Sequence, residues 1–358
     1  MSSADRDIFD TSPTRPRNLA SDNNAGICPE VLEVLKECNH GHAPGYGDGV
    51  WTERACNLMR ELFEVDCEVF FAFNGTAANS LALSTFCKPY NGILCHDLSH
   101  VETDECGGPE FFTGGSKVIP IAGDNGRLLP EPIVEAATRR NDLHFPKVAA
   151  LTLTQATELG TVYGMDDLRE IGQTCRELGL KFHMDGARFA NAVATSEVLP
   201  AQVIREAKVD ALSFGSTKNG AAVGDALIFF NKEDARDFEY RCKQAGQLAS
   251  KMRFLSAPWT ALLTDDLWLR NARHANLMAA KLHEKLSAQE GVEILATREA
   301  NSVFLRLSDD CREFLYGKGW RFYALLGKDG YRLMCSWDTT EEEIDAFAED
   351  LRQSSSSG

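Results

Sequence analysis

The stretch of the chain between residues 180 and 230 most constrains the fold. It opens with the apolar run Leu180 to Met184, which predicts a buried strand that ends at Asp185. A second apolar run, Ala211 to Phe214, precedes a loop of small residues that contains Lys218, and a third apolar run follows that loop. This spacing is typical of a βαβ unit that is continued by another strand. It predicts a carboxylate at one strand end and a lysine between two others, both beside glycines.

Asp185 and Lys218 are residue types that can hold a flat cationic heterocycle, as pyridoxal phosphate chemistry requires. A lysine bonds to the cofactor aldehyde, and desolvation beside a cationic ring lowers the pKa of that lysine, so that the free amine is available. A buried carboxylate keeps the pyridine nitrogen protonated, and the protonated ring is an electron sink. Taken singly, each residue has a simpler interpretation, in which Asp185 caps a helix and Lys218 is a solvated loop lysine. The interpretation that this pair binds pyridoxal phosphate therefore depends on a phosphate site elsewhere in the chain.

A candidate phosphate site lies upstream. The run Glu68 to Phe73 predicts a buried strand, and the small and polar residues Asn74 to Asn79 separate it from a helix predicted for Ser80 to Phe86. A strand, a glycine turn and a helix together present free backbone N–H groups and the positive helix end to an anion. We therefore predict that Gly75 and Thr76 bind the phosphate, although many such turns bind nothing.

Three further side chains are singled out by their surroundings. His100 follows a predicted strand, Gly92 to Cys95, in an acidic loop, where it can cover the outer face of a ring and relay a proton, or be a surface histidine. Arg332 is a cation on the mostly apolar strand predicted for Tyr331 to Ser336, so it needs a substrate carboxylate or a structural acid as its partner. His183, within the strand that leads to Asp185, is expected to be a packed core histidine.

Composition excludes several classes of protein. A net charge of -16 over 358 residues, with no basic stripe, argues against a nucleic-acid partner. No apolar run is long enough to span a membrane, and the N-terminus lacks the apolar core of a signal peptide. The eleven cysteines are scattered, which favours reduced thiols in a cytoplasmic protein. His40 and His42 have no ligand partners at a suitable spacing, so no metal site is expected.

Alternating strand and helix patterns predict an α/β fold with a mostly parallel sheet, whose site lies along the edge where polar loops recur. We predict a mobile N-terminal arm, a large cofactor-binding domain, a smaller α+β domain and a disordered tail, at residues 1–17, 18–255, 256–352 and 353–358.

Some details of the elements are also predicted. Asp166 is expected to cap a helix that stops at Gly179. A helix from about Asp234 is expected to continue into the basic stretch that ends at Arg253, and Val292 to Leu295 is expected to form a strand of the smaller domain.

Several stretches resemble the low-specificity L-threonine aldolases of bacteria and their phenylserine aldolase relatives. These are FAFNGTAANSLAL, HVETDECGGPEFF, HMDGARFANA, GSTKNGAAVG and RCKQAGQLASKMRFLSAPW. The resemblance spans Asn18 to Leu351. It implies the aminotransferase-like fold called fold type I, pyridoxal 5'-phosphate as the cofactor, and retro-aldol cleavage of L-threonine, L-allo-threonine or phenylserine to glycine and an aldehyde. It also implies a homotetramer, a dimer of dimers with active sites at the subunit interface.

The resemblance assigns roles to individual residues. The cofactor-binding residues would be Lys218 as the covalent lysine, Asp185 at the pyridine nitrogen, Arg188 at the phenolic oxygen, His100 stacked on the ring, and Gly75, Thr76 and a neighbouring subunit's Arg253 at the phosphate. For the substrate, Ser21 and Arg332 would bind the carboxylate, and Tyr46 would enter from the neighbouring subunit.

The chain departs from many of these relatives at one point. They carry a second histidine that is thought to handle the substrate hydroxyl, whereas here the region reads Thr154-Gln155-Ala156-Thr157-Glu158. His100, Glu105 and a bound water are the candidates for the base, and we favour His100, alone or through water. An aminotransferase and a non-enzymatic binding protein of the same fold are the alternative functions. The preferred substrate stays open.

Overall fold

The computed structural model describes residues 17–355. All of the predicted N-terminal arm except Arg17, and residues 356–358 of the predicted tail, therefore lie outside the described residues. Within the described range, no helix combines the length and the apolar character that a membrane crossing needs.

Seven strands form one sheet, in the order β1-β7-β6-β5-β4-β2-β3. They are β1 Glu68–Ala72, β2 Asn91–His96, β3 Lys117–Ile121, β4 Lys147–Thr154, β5 Lys181–Gly186, β6 Ala211–Phe214 and β7 Asp225–Phe229. Strands β3, β2, β4, β5 and β6 run parallel, and β7 is antiparallel to both of its neighbours. The predicted mostly parallel sheet is confirmed.

The helices cover this sheet and the smaller one. They are α1 Pro29–Cys38, α2 Val50–Phe63, α3 Gly75–Phe86, α4 His100–Thr103, α5 Gly108–Thr113, α6 Pro130–Thr138, α7 Met165–Leu178, α8 Phe189–Ser196, α9 Pro200–Ala207, α10 Phe238–Gln244, α11 Arg253–Leu262, α12 Leu267–Ser287, α13 Asp309–Gly317 and α14 Glu341–Ser355. Short 3₁₀ turns lie at Asp22–Asn24, Asp124–Gly126, Thr217–Asn219 and Lys232–Ala235.

The central strands are apolar on both faces because helices cover both sides of the sheet. Every residue of β6 is buried, and the ring of Phe214 at its end lies 4.7 Å from Trp259 and 5.4 Å from Trp268, measured between centroids. Aromatic pairs of this kind add about 0.5–1.5 kcal/mol each beyond the area that they bury. The loop that carries Lys218 therefore leaves the sheet from a rigid base.

A second core lies around a three-stranded antiparallel sheet of β8 Ser302–Arg306, β10 Gly330–Met334 and β9 Tyr323–Leu326. The N-terminal segment crosses this sheet, since the Leu19 amide donates to the Arg321 carbonyl and the Leu19 carbonyl accepts from the Met334 amide. Leu19 is itself buried in this core. These contacts place the residues just after Leu19 beside the larger sheet.

Five details of the predicted elements differ. Helix α7 is capped by Gly164, with Asp166 in its first turn, and the predicted stop at Gly179 is confirmed. The single helix expected from Asp234 to Arg253 is broken, because Gly246 has a φ of +72° and ends α10.

In the smaller sheet, the predicted strand Val292 to Leu295 does not form, and this segment contributes only one isolated bridge, Ile294 to Leu305. Strand β9 was not predicted. Helix α14 continues through Ser355, into residues predicted to be a disordered tail.

Candidate active site

A pocket opens at the edge of the sheet where the parallel strands β4, β5 and β6 end. Asp185 on β5 pairs in register with Thr154 on β4 and Ser213 on β6, so the loops after these strands meet there. The pocket is lined by Asn23, Asn74, Gly75, Thr76, Asn79, His100, Thr154, Ala156, Glu158, Asp185, Ala187, Arg188, Gly215, Thr217, Lys218 and Asp225. Six of the predicted site residues, Gly75, Thr76, His100, Asp185, Arg188 and Lys218, are thus brought together.

The Asp185 carboxylate is held by two hydrogen bonds. Its Oδ1 accepts from the Ala187 amide at 3.0 Å, and its Oδ2 accepts from Asn79 Nδ2 at 2.9 Å. The residue is only 4% exposed. A carboxylate that is buried and fixed in this way presents a negative charge at a defined point on the pocket wall, as a pyridinium partner requires.

Lys218 lies in the 3₁₀ turn Thr217–Asn219, directly after the rigid end of β6. No described residue accepts a hydrogen bond from Lys218 Nζ. Burial lowers the pKa of this amine, and the positive charge of Arg188 lowers it further. An amine with a depressed pKa at the bottom of a pocket is suited to attack a carbonyl group.

Helix α3 begins at Gly75, five residues earlier than predicted. Asn74 is its N-cap, and Asn74 Oδ1 accepts from the Ala77 amide at 3.0 Å. The predicted phosphate turn is therefore the first turn of the helix, whose N–H groups have no acceptor within the helix. Together with the positive end of the helix dipole, these N–H groups suit an anion.

His100 and Glu105 form a hydrogen-bonded pair. His100 Nδ1 lies 2.9 Å from Glu105 Oε1, and the same oxygen accepts from Asn79 Nδ2 at 2.8 Å. The hydrogen bond to Glu105 raises the pKa of His100, and burial raises the pKa of Glu105, whose side chain has no exposed surface. Since Nδ1 is engaged, Nε2 is the ring nitrogen left for a ligand.

Arg188 is bound to a residue that the sequence did not single out. Its Nε and Nη2 donate to the two carboxylate oxygens of Asp22 at 2.7 and 2.9 Å. Burial opposes the charge on Asp22, but the Arg188 guanidinium outweighs this and lowers the pKa of Asp22. The pair joins the N-cap of α8, just after β5, to the N-terminal segment and leaves Arg188 Nη1 without a hydrogen bond among the described residues.

Arg332 is not among the lining residues of this pocket and has no acidic partner among residues 17–355. Its Nη2 contacts the Ala20 carbonyl at 3.5 Å, and within the described part of the chain its buried Nε has no hydrogen bond. Burial lowers the pKa of this guanidinium, as does the charge on Arg188. Ser21, the residue after Ala20, caps the 3₁₀ turn and accepts from the Asn23 amide through its Oγ.

Tyr46 and Arg253 are not among the lining residues of this pocket. Tyr46 is 50% exposed, and Lys243 Nζ lies 4.6 Å from the centre of its ring. Its amide donates to the Ser250 carbonyl, and Arg253 Nη1 donates to the Gly41 carbonyl at 3.3 Å. The loop that bears Tyr46 and the segment before α11 therefore pack together on one surface.

Among the residues to which sequence reasoning gave no role are Asn79, Glu158 and Asp225 in the pocket lining, and Asp22 behind it on Arg188. Asn79 lies one turn into α3. Its position directly after the predicted phosphate turn could have indicated that it belongs to the site. Glu158 stands in the loop that lacks the second histidine and lines the pocket. Asp22 and Asp225 had no such signal. His183 is a buried core histidine as predicted, bonded to Thr152 and Ser213.

The described residues fit pyridoxal phosphate. Lys218 and Asp185 line one pocket, the first turn of α3 offers amides for a phosphate, and His100 lies in the same pocket wall. Thr154 Oγ1, a buried pocket hydroxyl, has no hydrogen-bond partner among residues 17–355 and so can form a hydrogen bond with a ligand.

Comparisons with known proteins agree with this site. Residues 18–310 match the profile of the family described as beta-eliminating lyase. Low specificity L-threonine aldolases from a Pseudomonas strain and from Pseudomonas aeruginosa are each 55% identical over 336 residues, which cover 94% of this chain and 97% of theirs.

Solved structures show the same fold. A threonine aldolase from Leishmania major has a TM-score of 0.89 and 29% identity, over 94% of this chain and 99% of its own. A serine palmitoyltransferase from Sphingomonas wittichii, at 13% identity and a TM-score of 0.71, shares the fold. The predicted fold type I architecture is confirmed. The chain belongs to the beta-eliminating lyase family of pyridoxal phosphate enzymes, and within it to the group of the low-specificity L-threonine aldolases.

Proposed function

We propose that this chain is a pyridoxal phosphate-dependent aldolase. It cleaves the Cα–Cβ bond of L-threonine, L-allo-threonine and related L-β-hydroxy-α-amino acids such as phenylserine, and releases glycine and an aldehyde. The observation that carries the proposal is the pocket in which Lys218, Asp185 and His100 meet, in a chain that is 55% identical to low specificity L-threonine aldolases.

Each residue has a distinct part in the proposed reaction. Bound pyridoxal phosphate supplies an electron sink for the pair of electrons left at Cα when the bond breaks. Lys218 would hold the cofactor covalently, Asp185 would be the acidic partner of the ring nitrogen, and the first turn of α3 would bind the phosphate. Arg188, whose Nη1 has no hydrogen bond among the described residues, would bind the phenolic oxygen.

Substrate binding depends on Arg332 and Ser21. The Arg332 guanidinium has no acid partner among the described residues, and a substrate carboxylate supplies one bidentately. A carboxylate held there would orient the rest of the substrate and so fix which bond at Cα is presented for cleavage.

The β-hydroxyl proton is taken by His100 through Nε2. The Oε1 atom of Glu105 is hydrogen-bonded to Nδ1 of His100 and so fixes the orientation of the imidazole ring. Because its hydrogen bond to the Glu105 carboxylate raises the pKa of His100, the histidine is a stronger base than an isolated imidazole.

Tyr46 and Arg253 support a proposal about assembly. Both lie on one surface outside the pocket of their own chain, so we assign them to the pocket of a neighbouring subunit in a homotetramer. We also propose a cytoplasmic location, because all eleven cysteines are free thiols, ten of them buried or half-buried.

The test is an absorption spectrum of the purified protein, followed by aldehyde release from L-threonine, L-allo-threonine and L-phenylserine. We expect an absorption band at about 420 nm and release of aldehyde from at least one substrate. Lys218→Ala should abolish both, whereas Asp185→Asn should keep the cofactor and slow turnover by orders of magnitude. A band without aldehyde would favour an aminotransferase, and full activity in either variant would contradict the site assignment.

A further inference from the structure

Asp225 is an acidic residue in the part of the pocket that faces the first turn of α3. It is the first residue of β7, and because β7 runs antiparallel to β6, its beginning lies at the edge where β6 ends. Asp225 is 7% exposed and lines the pocket together with Asn74, Gly75 and Thr76. A carboxyl group therefore lies beside the amides that bind the phosphate in the proposed function, on which this inference rests.

The two carboxyl oxygens of Asp225 differ in their surroundings. Oδ1 accepts from the Ser216 amide at 2.8 Å, and from the Thr217 amide and hydroxyl at 3.2 Å each. Oδ2 accepts no hydrogen bond from any residue between 17 and 355. It lies 3.6 Å from the point where a Cβ on Gly75 would stand, so it borders the first residue of α3.

Few charges compensate this carboxyl group. Burial raises the pKa of Asp225, against the hydrogen bonds from Ser216 and Thr217 and the charge on Lys218. The first turn of α3 carries no ionisable side chain, and neither does Ala72, the partner of Asp225 on β1. The other titratable groups that line the pocket are His100, Glu158, Asp185, Arg188 and Lys218.

An ionised Asp225 would repel a phosphate dianion bound at this helix end, whereas a protonated one has a hydrogen to donate. We propose that Asp225 binds the cofactor phosphate as the neutral acid, and that Oδ2 donates its proton in a hydrogen bond to a phosphate oxygen. Oδ1 meanwhile keeps the loop before Lys218 in place. Binding of the phosphate is then coupled to the uptake of one proton.

This coupling sets the pH dependence of cofactor affinity. Above the pKa of Asp225 in the free enzyme, affinity for pyridoxal phosphate should fall by up to about tenfold per pH unit, as linkage requires. Pyridoxal, which lacks the phosphate, should not show this fall. Both ligands use Lys218 equally, so the ratio of their dissociation constants isolates the phosphate end.

The experiment titrates the apoenzyme with pyridoxal phosphate and with pyridoxal, followed by absorbance, between about pH 6.5 and pH 9, where the phosphate is mostly dianionic. Asp225→Asn is the matched variant, because its amide can donate at Nδ2 and still accept at Oδ1. We expect the affinity for pyridoxal phosphate, divided by the affinity for pyridoxal, to fall as pH rises in the native protein and to stay level in the variant. At the upper pH, the variant should bind pyridoxal phosphate at least tenfold more tightly than the native protein does.

Calorimetry of the native apoenzyme in two buffers of different ionisation enthalpy provides a second measurement that needs no variant. At the upper pH, it should show one more proton taken up with pyridoxal phosphate than with pyridoxal. Equal proton uptake, or an affinity ratio with the same pH profile in both proteins, would overturn the inference and leave Asp225 as a loop anchor. Failure of both ligands to bind at every pH would overturn the proposed function as well.

Discussion

Asn79 Nδ2 donates a hydrogen bond of 2.9 Å to Asp185 Oδ2, deep in the pocket wall. The same nitrogen donates to Glu105 at 2.8 Å, so a single amide joins the acid assigned to the ring nitrogen to the acid that orients His100. The buried carboxyl groups of Glu105, in the loop after α4, and of Asp185, on β5, are thereby held at a fixed distance from each other. The amide lessens the repulsion between them by offering both oxygens a donor.

Asn79→Ala should therefore slow catalysis without preventing cofactor binding. Loss of a hydrogen bond to a charged group is worth about 1.5–3 kcal/mol, which corresponds to a fall in kcat/KM of about tenfold to 150-fold. Steady-state kinetics together with the cofactor absorbance would measure this. Asn57→Ala, at an exposed position on α2, is the control and should leave kcat/KM unchanged. An Asn79 variant with native kinetics would show that the bridge is only structural.

Glu105→Gln should move the pH dependence of the reaction. The Glu105 hydrogen bond raises the pKa of His100, so its replacement by an amide lowers that pKa. Because the neutral imidazole is the base, activity rises as pH rises through this pKa, and the acidic limb of the kcat/KM profile should shift to lower pH. Glu102→Gln, an exposed neighbour on α4, should not move the limb. A limb that stays in place in Glu105→Gln would remove His100 as the base.

The parts of the site that could be predicted from sequence are those that local pattern determines. The apolar runs of β5 and β6 identify strands whatever their partners are, and the rule that parallel strands end at one edge then brings Asp185 and Lys218 together. The small residues Gly75 to Ala78 misled the prediction of where α3 starts. They read as a loop, but the Asn74 side chain caps them and makes them helical.

The contacts that sequence could not predict are long-range. Asp22 and Arg188 are separated by 166 positions, and nothing local indicates that a polar turn near the N-terminus reaches the start of α8. The Leu19 hydrogen bonds that carry this segment across the smaller sheet depend on the assembled fold. The break at Gly246 is a backbone conformation rather than a pattern, since a single glycine inside a helical pattern is compatible with a continuous helix.

Gly172→Ala should destabilise the fold although it adds only a methyl group. A Cβ at this position on α7 would meet the Ala207 carbonyl oxygen, a backbone atom at the end of α9. Alanine favours a helix by about 1 kcal/mol over glycine, but forced overpacking against backbone costs about 1–3 kcal/mol or more. Urea unfolding should show a net loss. Gly26→Ala is the control and should not lose stability, because apart from its chain neighbours no described residue has an atom within 4 Å of the added carbon.

Asp22→Asn should lower stability at neutral pH, because it leaves the buried Arg188 guanidinium without its charged partner. Removing one member of a buried ion pair costs about 3–5 kcal/mol. The effect should depend on pH with a definite sign. Although burial opposes the charge, Arg188 lowers the pKa of Asp22 in the folded protein. The stabilisation is therefore complete above the pKa of Asp22 in the unfolded chain, about 3.9, and is lost as pH falls through its pKa in the folded protein.

The measurement is the free energy of unfolding in urea for the native protein and for Asp22→Asn, at pH values from about 8 down to about 3. The difference between the two proteins should be constant above about pH 5 and shrink below about pH 4, because Asp22 of the unfolded chain then takes up a proton while Asp22 of the folded protein is still ionised. The exposed pair Arg140–Asp142 has the same bidentate geometry, at 2.8 Å for both hydrogen bonds, and supplies the matched control. Asp142→Asn should cost much less, because water screens that pair. An equal loss of unfolding free energy in the two variants would mean that burial does not increase the contribution of the Asp22–Arg188 pair to stability.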